Sequence, residues 1–117
     1  MNSRSLSSRA FTLVEIMVVV VVIGLLASLA IPAFKKITAA SQDKAVLNNA
    51  RQLSSAADTY YLETGSGYVA LVNLVGATNY VKVISTIASE TYPDNYTQGV
   101  TVTVTGVGSA RTITYTP

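Results

Sequence analysis

Residues 11–34 read FTLVEIMVVVVVIGLLASLAIPAF, and this stretch decides how the rest of the chain is organised. No side chain from Ile16 to Phe34 carries a charge. At a rise of about 1.5 Å per residue, an α-helix of this length is roughly 36 Å long, which is enough to cross the hydrocarbon core of a bilayer. The stretch contains one carboxylate, Glu15, and one proline, Pro32. Because an acid in an apolar helix is costly, we expect Glu15 to have a specific partner.

The composition excludes several classes of function. The 117 residues include no cysteine and no histidine, which removes disulfides, most nucleophile–base pairs and most transition-metal sites. Glu90, Asp94 and Asn95 offer oxygen atoms, but their spacing is not that of a calcium loop, and a turn explains them better. We therefore expect no enzyme, no cofactor and no metal. Charged residues make up only 12% of the chain and hydrophobic residues 50%, which favours a membrane-bound or assembled protein.

The net charge is concentrated at the N-terminus. Arg4 and Arg9 are the only charged residues before Phe11, and the other six Lys and Arg balance six Asp and Glu. This distribution predicts a single-pass protein whose N-terminus stays in the cytoplasm. It does not indicate a nucleic-acid partner, because only Lys35 and Lys36 are adjacent cations.

The start of the apolar stretch carries a specific pattern. The sequence RAFTLVEI of residues 9–16, followed by Gly24 and Pro32, resembles the type IV prepilin signature. The resemblance covers roughly the first third of the chain. It implies that residues 1–10 are a leader peptide, that a membrane prepilin peptidase cuts between Ala10 and Phe11, and that the new amine of Phe11 is methylated. The family usually has glycine before the cut, so with Ala10 we expect slower or normal processing rather than failure.

The same resemblance implies a mechanism of assembly. The helix of residues 11–34 would stay in the inner membrane until an assembly platform there draws it into the core of a periplasmic or extracellular filament. In the family, the glutamate at the fifth mature position, here Glu15, attracts the N-terminal amine of a neighbouring subunit. The residues themselves also support a local role, because Thr12 and Glu15 have the spacing of a capping box. Glutamine would cap equally well, so the charge itself needs a further reason.

Gly24 and Pro32 predict a weak point in the helix. Pro32 cannot donate a hydrogen bond to the carbonyl of Ser28, and its ring crowds that turn. Glycine costs about 1 kcal/mol relative to alanine inside a helix. We expect a kink between these positions, and the resemblance adds that this segment can lose helicity in an assembled filament.

After Lys36 the pattern becomes amphipathic. Apolar residues recur at spacings of four and three, namely Val46, Ala50, Leu53, Ala57 and Tyr60. This periodicity predicts an amphipathic helix over residues 35–63. We expect it to continue the apolar helix from residue 13 without a break and to end at Gly65 in a left-handed conformation.

The C-terminal part should cover the apolar stripe of this helix. Residues 68–96 fit either a helical turn and a strand or two strands, and residues 92–96 read as a turn. Valine and threonine then alternate, which predicts an antiparallel hairpin over residues 97–116 with a four-residue connection at 106–109. The fold expected is α+β and type IV pilin-like. Its long N-terminal helix has an apolar half for the membrane or filament core, and residues 35–117 form a small head whose amphipathic helix packs on an antiparallel sheet.

Three functions fit these observations. The first is a structural subunit of a type IV pilus-like filament, which polymerises with copies of itself. The second is a pseudopilin of a type II secretion system, which shares every feature above. The third belongs to another class, a periplasmic binding domain held by an uncleaved signal anchor, which would not need Glu15.

Overall fold

The computed structural model describes residues 10–117, so the predicted leader, apart from Ala10, lies outside the described residues. One long helix and two small antiparallel sheets make up the fold, which confirms the α+β, pilin-like class. In chain order the elements are α1 (Leu13–Thr64), β1 (Tyr68–Ala70), α2 (Leu71–Leu74), β2 (Asn95–Thr97), β3 (Val102–Val107) and β4 (Arg111–Tyr115).

Helix α1 contains 52 residues and agrees with the predicted single helix to within one residue. It runs without interruption through Gly24 and Pro32. Gly65 ends it with a φ of +69°, a left-handed conformation that glycine adopts without strain. The Gly65 N–H donates to the carbonyl of Tyr61 at 2.9 Å. The chain divides into two compact units, one ending at Lys36 and the other comprising Ile37–Pro117.

The core of the second unit lies along one face of α1. The helix contributes Val46, Ala50, Leu53, Ser54, Ala56, Ala57 and Tyr61 as buried residues. Four of the five predicted stripe positions are therefore buried. The fifth, Tyr60, is only half-buried and packs edge-on against Tyr80 with ring centroids 6.0 Å apart. Its neighbour Tyr61 is buried in the core instead.

Two sheets cover this face. Strands β1 and β2 pair with Val69 opposite Tyr96, and both of these side chains are buried. Strands β3 and β4 pair with Val104 opposite Ile113 and Val102 opposite Tyr115. The valines of β3 are buried, while its threonines are exposed. The alternation found in the sequence therefore places the apolar face of the hairpin inward.

The predicted bounds of this hairpin are wrong at both its start and its turn. Thr97 ends β2, and its carbonyl accepts a hydrogen bond from Val100 N–H at 3.1 Å, across a turn in which Gly99 has a φ of +73°. Val100 therefore lies before β3 and is 55% exposed. At the other end β3 continues to Val107, because Gly106 adopts a φ of +74° at a β-bulge. The connection is residues 108–110, three rather than four.

For residues 68–96 the sequence allowed either a helical turn and a strand or two strands. Leu71–Leu74 is a single helical turn, and Asn95 already belongs to β2, so the predicted turn over 92–96 is too long. The apolar run at 80–87 is not a strand. Val81 makes one isolated bridge with Val75, and residues 83–86 have no regular secondary structure.

One ion pair joins the hairpin to α1. The Arg111 Nε donates to Asp43 at 2.9 Å, and Arg111 Nη2 donates to the side chain of Gln42 at 3.1 Å. It is the only salt bridge among residues 10–117. About a third of each partner is exposed, so the pair contributes at most about 1 kcal/mol, and apolar burial dominates the stability of the head.

Replacing Leu53 by alanine should destabilise the head by about 2–5 kcal/mol, because the side chain is fully buried and its removal leaves a cavity. Leu62→Ala is the matched control. Leu62 lies on the same helix but is 86% exposed, so its change should stay within about 0.5 kcal/mol. Urea unfolding of the full chain in detergent micelles, followed by near-UV circular dichroism of the tyrosines, measures both. Equal midpoints for the two variants would contradict the described core.

Candidate assembly site on the N-terminal helix

Among residues 10–117, nothing covers the apolar half of α1. Every residue from 10 to 38 is exposed, and the large apolar side chains range from Val22 at 47% to Phe11 at 81%. By length and composition the helix is able to cross a membrane, since its most apolar window has a mean hydropathy of 2.8 and no buried side chain. Contiguous apolar surface of this extent marks a membrane or protein contact.

Glu15 and Thr12 form the capping box that their spacing predicts. The Thr12 N–H donates to Glu15 Oε2 at 3.2 Å, and the Glu15 N–H donates to Thr12 Oγ1 at 3.3 Å. The two residues thus satisfy two of the free donors at the start of α1. Glu15 Oε1 makes no hydrogen bond within residues 10–117. The local role of Glu15 is therefore confirmed, and one carboxylate oxygen remains available.

The predicted processing residues lie at the same end. Ala10 and Phe11 precede the helix, are exposed, and have non-helical backbone. The peptide bond between them is therefore not held in the helical hydrogen-bond ladder. Phe11 and Glu15 are both in the first turn or just before it, so the structure brings the predicted site of methylation and the predicted assembly carboxylate to one helix end.

Gly24 and Pro32 lie on the exposed surface of the same helix. The Ser28 hydroxyl donates to the Gly24 carbonyl at 2.8 Å, while Pro32 has no N–H to offer the carbonyl of Ser28. A Cβ placed on Gly24 would meet no atom within 4 Å. No contact inside the chain therefore requires a glycine at this position.

A buried carboxylate in the head escaped the sequence analysis, which treated Glu90 only as a weak candidate calcium ligand. Glu90 is 4% exposed. Its Oε2 accepts the N–H groups of Ala88 at 2.7 Å and Ile87 at 3.0 Å, and its Oε1 accepts the Tyr92 hydroxyl at 2.8 Å. The Asn49 side-chain amide donates to the Tyr92 oxygen at 2.9 Å. Glu90 therefore fastens the loop before it to α1, and both of its oxygens are occupied by protein donors.

The local environment perturbs the acid–base behaviour of this network. Burial alone would raise the pKa of Glu90, but the N–H groups of Ala88 and Ile87 and the Tyr92 hydroxyl outweigh it and hold that pKa below its ordinary value of 4.5. Burial raises the pKa of Tyr92 to about 12, and its bond to Glu90 adds to the shift. At neutral pH the charged carboxylate thus accepts from a protonated phenol. Asn49 lies 43 residues before Tyr92 in the chain, so no local sequence pattern indicates the bond between them.

Comparisons with known proteins agree with the N-terminal signature. The model for the prokaryotic N-terminal methylation motif matches residues 6–31. The chain is 39% identical over 59 residues to the type IV major fimbrial protein FimA of Dichelobacter nodosus, and 41% identical over 56 residues to the type IV major pilin protein PilA of Myxococcus xanthus. The N-terminal half of the chain is thus similar to type IV pilins. No solved structure gives a significant match.

The similarity is confined to part of each pilin. The matched segments cover 50% and 48% of this chain but only 38% of FimA and 26% of PilA. A type IV major pilin protein, PilE1 of Neisseria gonorrhoeae, gives 39% identity over 57 residues, 49% of this chain and 34% of that protein. The chain thus spans well under half the length of the curated pilins that it matches.

The Glu90→Gln variant of this chain should lose about 1–3 kcal/mol at neutral pH, since a charged acceptor is removed from buried donors. The pKa of Glu90 is lowered on folding. Its stabilisation is therefore fully present above about pH 4.5 and is lost as the pH falls through the lower, folded-state pKa.

The measurement is the urea midpoint as a function of pH. In acid the wild-type protein should lose the stability that Glu90 contributes, and the variant should not show this part of the decrease. Asp58→Asn is the control, because Asp58 is an exposed carboxylate on α1. The role given to Glu90 is refuted by a Glu90→Gln curve that runs parallel to the wild-type curve from neutral pH to pH 2.

Proposed function

We propose that this chain is a structural subunit of a type IV pilus-like filament, assembled through the helix of residues 11–34. The observation that carries the proposal is the uninterrupted exposed apolar surface of that helix, which begins at the methylation motif and its glutamate. The role is structural rather than catalytic. Matched relatives from three organisms are named as type IV major pilins or fimbrial proteins, which supports a filament.

Apolar burial holds the helix in either environment. Each buried valine, leucine or isoleucine side chain is worth about 1.5–3 kcal/mol relative to water. The hydrocarbon of the inner membrane supplies this stabilisation first, with the N-terminus in the cytoplasm. On assembly the helix exchanges lipid for neighbouring helices, and that exchange brings little further hydrophobic gain. The apolar surface therefore allows assembly but does not select one register.

The charge of Glu15 selects one register between neighbouring helices. Cutting between Ala10 and Phe11 frees an α-amine, which is cationic at neutral pH because its ordinary pKa is about 8. An unpaired charge in low dielectric is costly, and pairing the Glu15 carboxylate with the amine of a neighbouring Phe11 removes that cost only in one register. The capping box orients Glu15 without consuming its second oxygen. Gly24 and Pro32 are proposed as the flexible point of the helix during extraction from the membrane.

The route to the filament requires partners. We propose cleavage and methylation by a prepilin peptidase and methyltransferase, followed by extraction by an inner-membrane assembly platform into a periplasmic or extracellular filament of identical subunits. A type II secretion pseudopilin would use the same helix, and the naming of the matched relatives as pilins favours the pilus. The length of the filament in cells distinguishes a pilus from a secretion pseudopilus.

Glu15→Gln should abolish filaments while leaving the helix and its membrane insertion intact, because glutamine preserves the capping box but removes the charge. Thr12→Ala is the matched control, since it removes the Thr12 hydroxyl from the capping box and keeps the charge of Glu15. That variant should still assemble. Electron microscopy of sheared filaments, with immunoblots of the membrane fraction, gives both readouts. Normal filaments from Glu15→Gln would leave Glu15 with its capping role alone.

The mature N-terminus should be methylated Phe11. Mass spectrometry of the protein from membranes and from filaments should show the loss of residues 1–10 and the added methyl group. An Ala10→Gly variant should be processed at least as fast as the natural chain, because glycine is the usual residue of the family. Recovery of a chain that begins with Met1 would favour the uncleaved signal anchor.

A further inference from the structure

Residues 82–87 form a segment that has no strand partner in its own head and is exposed except at Ile84, which is half-buried against the core. Most of its residues are β-branched, as strands favour, and Val83 is 69% exposed and Ile87 45% exposed. The backbone groups of Val83, Ile84 and Thr86 make no backbone hydrogen bond within residues 10–117. The segment is held at two points, because the Ser85 carbonyl accepts the Asn49 amide and the Ile87 N–H donates to Glu90.

Strand β4 offers the complementary surface, a free sheet edge. On the inner side of the hairpin, Thr105 exchanges both backbone hydrogen bonds with Thr91, so its N–H and carbonyl point away from β4. Backbone groups alternate along a strand, and the bonded pairs with β4 are therefore Val104–Ile113 and Val102–Tyr115. It follows that the N–H and carbonyl groups of Thr112 and Thr114 point outward from β4.

This edge lacks the usual protection against pairing. Natural edge strands carry charges, prolines or bulges that prevent another chain from adding to them. Residues 112–116 are TITYT, without any of these in the strand, and the one charge of β4, on Arg111, is paired with Asp43. A groove of about 340 Å³ runs beside the edge, lined by Asp43, Lys44 and Leu47 of α1 and by residues 112–114, so its charges belong to the helix and not to the strand.

We propose that residues 82–87 of one subunit add as a strand to the outer edge of β4 in the next subunit of the filament. This inference rests on the proposed filament, which holds copies of the chain side by side. The contact joins two different surfaces, so it repeats from one subunit to the next instead of closing at a dimer. Each addition satisfies the outward backbone groups of Thr112 and Thr114 and those of the unpaired segment, and it covers Val83.

The occupant of the edge is a second copy because the same chain provides both an uncovered strand-forming segment and an unprotected edge. A pairing of β4 with β4 would also satisfy the edge, but it would be isologous and would stop at two subunits. That pairing would leave residues 82–87 uncovered.

The natural absence of cysteine allows a direct test. Cysteine is placed at Ser85 or Thr86 and, in the same chain, at Thr112 or Thr114, giving four double variants. Directly opposed residues on neighbouring strands lie about 4.5–5.5 Å apart between Cα atoms, within the range of a disulfide. Oxidised filaments of the full chain from at least one double variant should give a ladder of multimers on a non-reducing gel. Co-expression of the two corresponding single variants should give dimers only.

In the control, the second cysteine is placed at Thr105 rather than at Thr112 or Thr114. Thr105 is exposed as they are, but it lies one strand further from the added segment, about 10 Å away and beyond disulfide reach. Filaments without a cross-link in any of the four variants would overturn the strand addition and leave the proposed filament standing. Cross-linked dimers from Thr114→Cys alone would replace it with the isologous pairing. If the natural chain forms no filaments, the proposed function fails and this contact fails with it.

Discussion

The structure depends on an apolar helix surface that no other part of residues 10–117 covers. From Leu13 to Phe34 the side chains of α1 are exposed. Leaving so much apolar surface in water is energetically unfavourable, so lipid or protein is expected to surround it. Lipid and neighbouring helices satisfy such a surface almost equally well. A chain built in this way is able to move between a membrane and a helical bundle with little change in hydrophobic free energy, and the direction of that exchange must come from polar groups.

The head has a different problem, which is its small size without disulfides. Its core depends on one face of α1 around Leu53, covered by β1, β2 and β3. Small domains bury a limited fraction of their surface, so additional links matter. Here the links are polar and involve distant parts of the chain. Glu90 and Tyr92 connect a long loop to Asn49, and Arg111 connects the hairpin to Asp43.

The features that the sequence predicts well are local and periodic. The helix over 13–64, the capping box at Glu15 and the left-handed end at Gly65 each follow from spacing within a few residues. The errors arise where a glycine conformation sets the end of a strand or where a residue distant in the chain is the hydrogen-bond partner. The turn at Gly99 makes β3 begin later than the alternation of valine and threonine predicts, and the bulge at Gly106 allows β3 to end later. The role of Glu90 depends on Asn49, 41 residues earlier, for which no local pattern exists.

The capping box also bears on how the charge of Glu15 is used. Because Thr12 and Glu15 bind each other within one chain, the carboxylate is held at the helix start before any neighbour arrives. Its side-chain entropy is therefore lost on folding and not on assembly. A pre-oriented carboxylate with one free oxygen binds a neighbouring amine more favourably than a mobile one would. In the proposed filament, the local and intermolecular roles of Glu15 are thus cooperative, since the cap orients the carboxylate that is proposed to select the register.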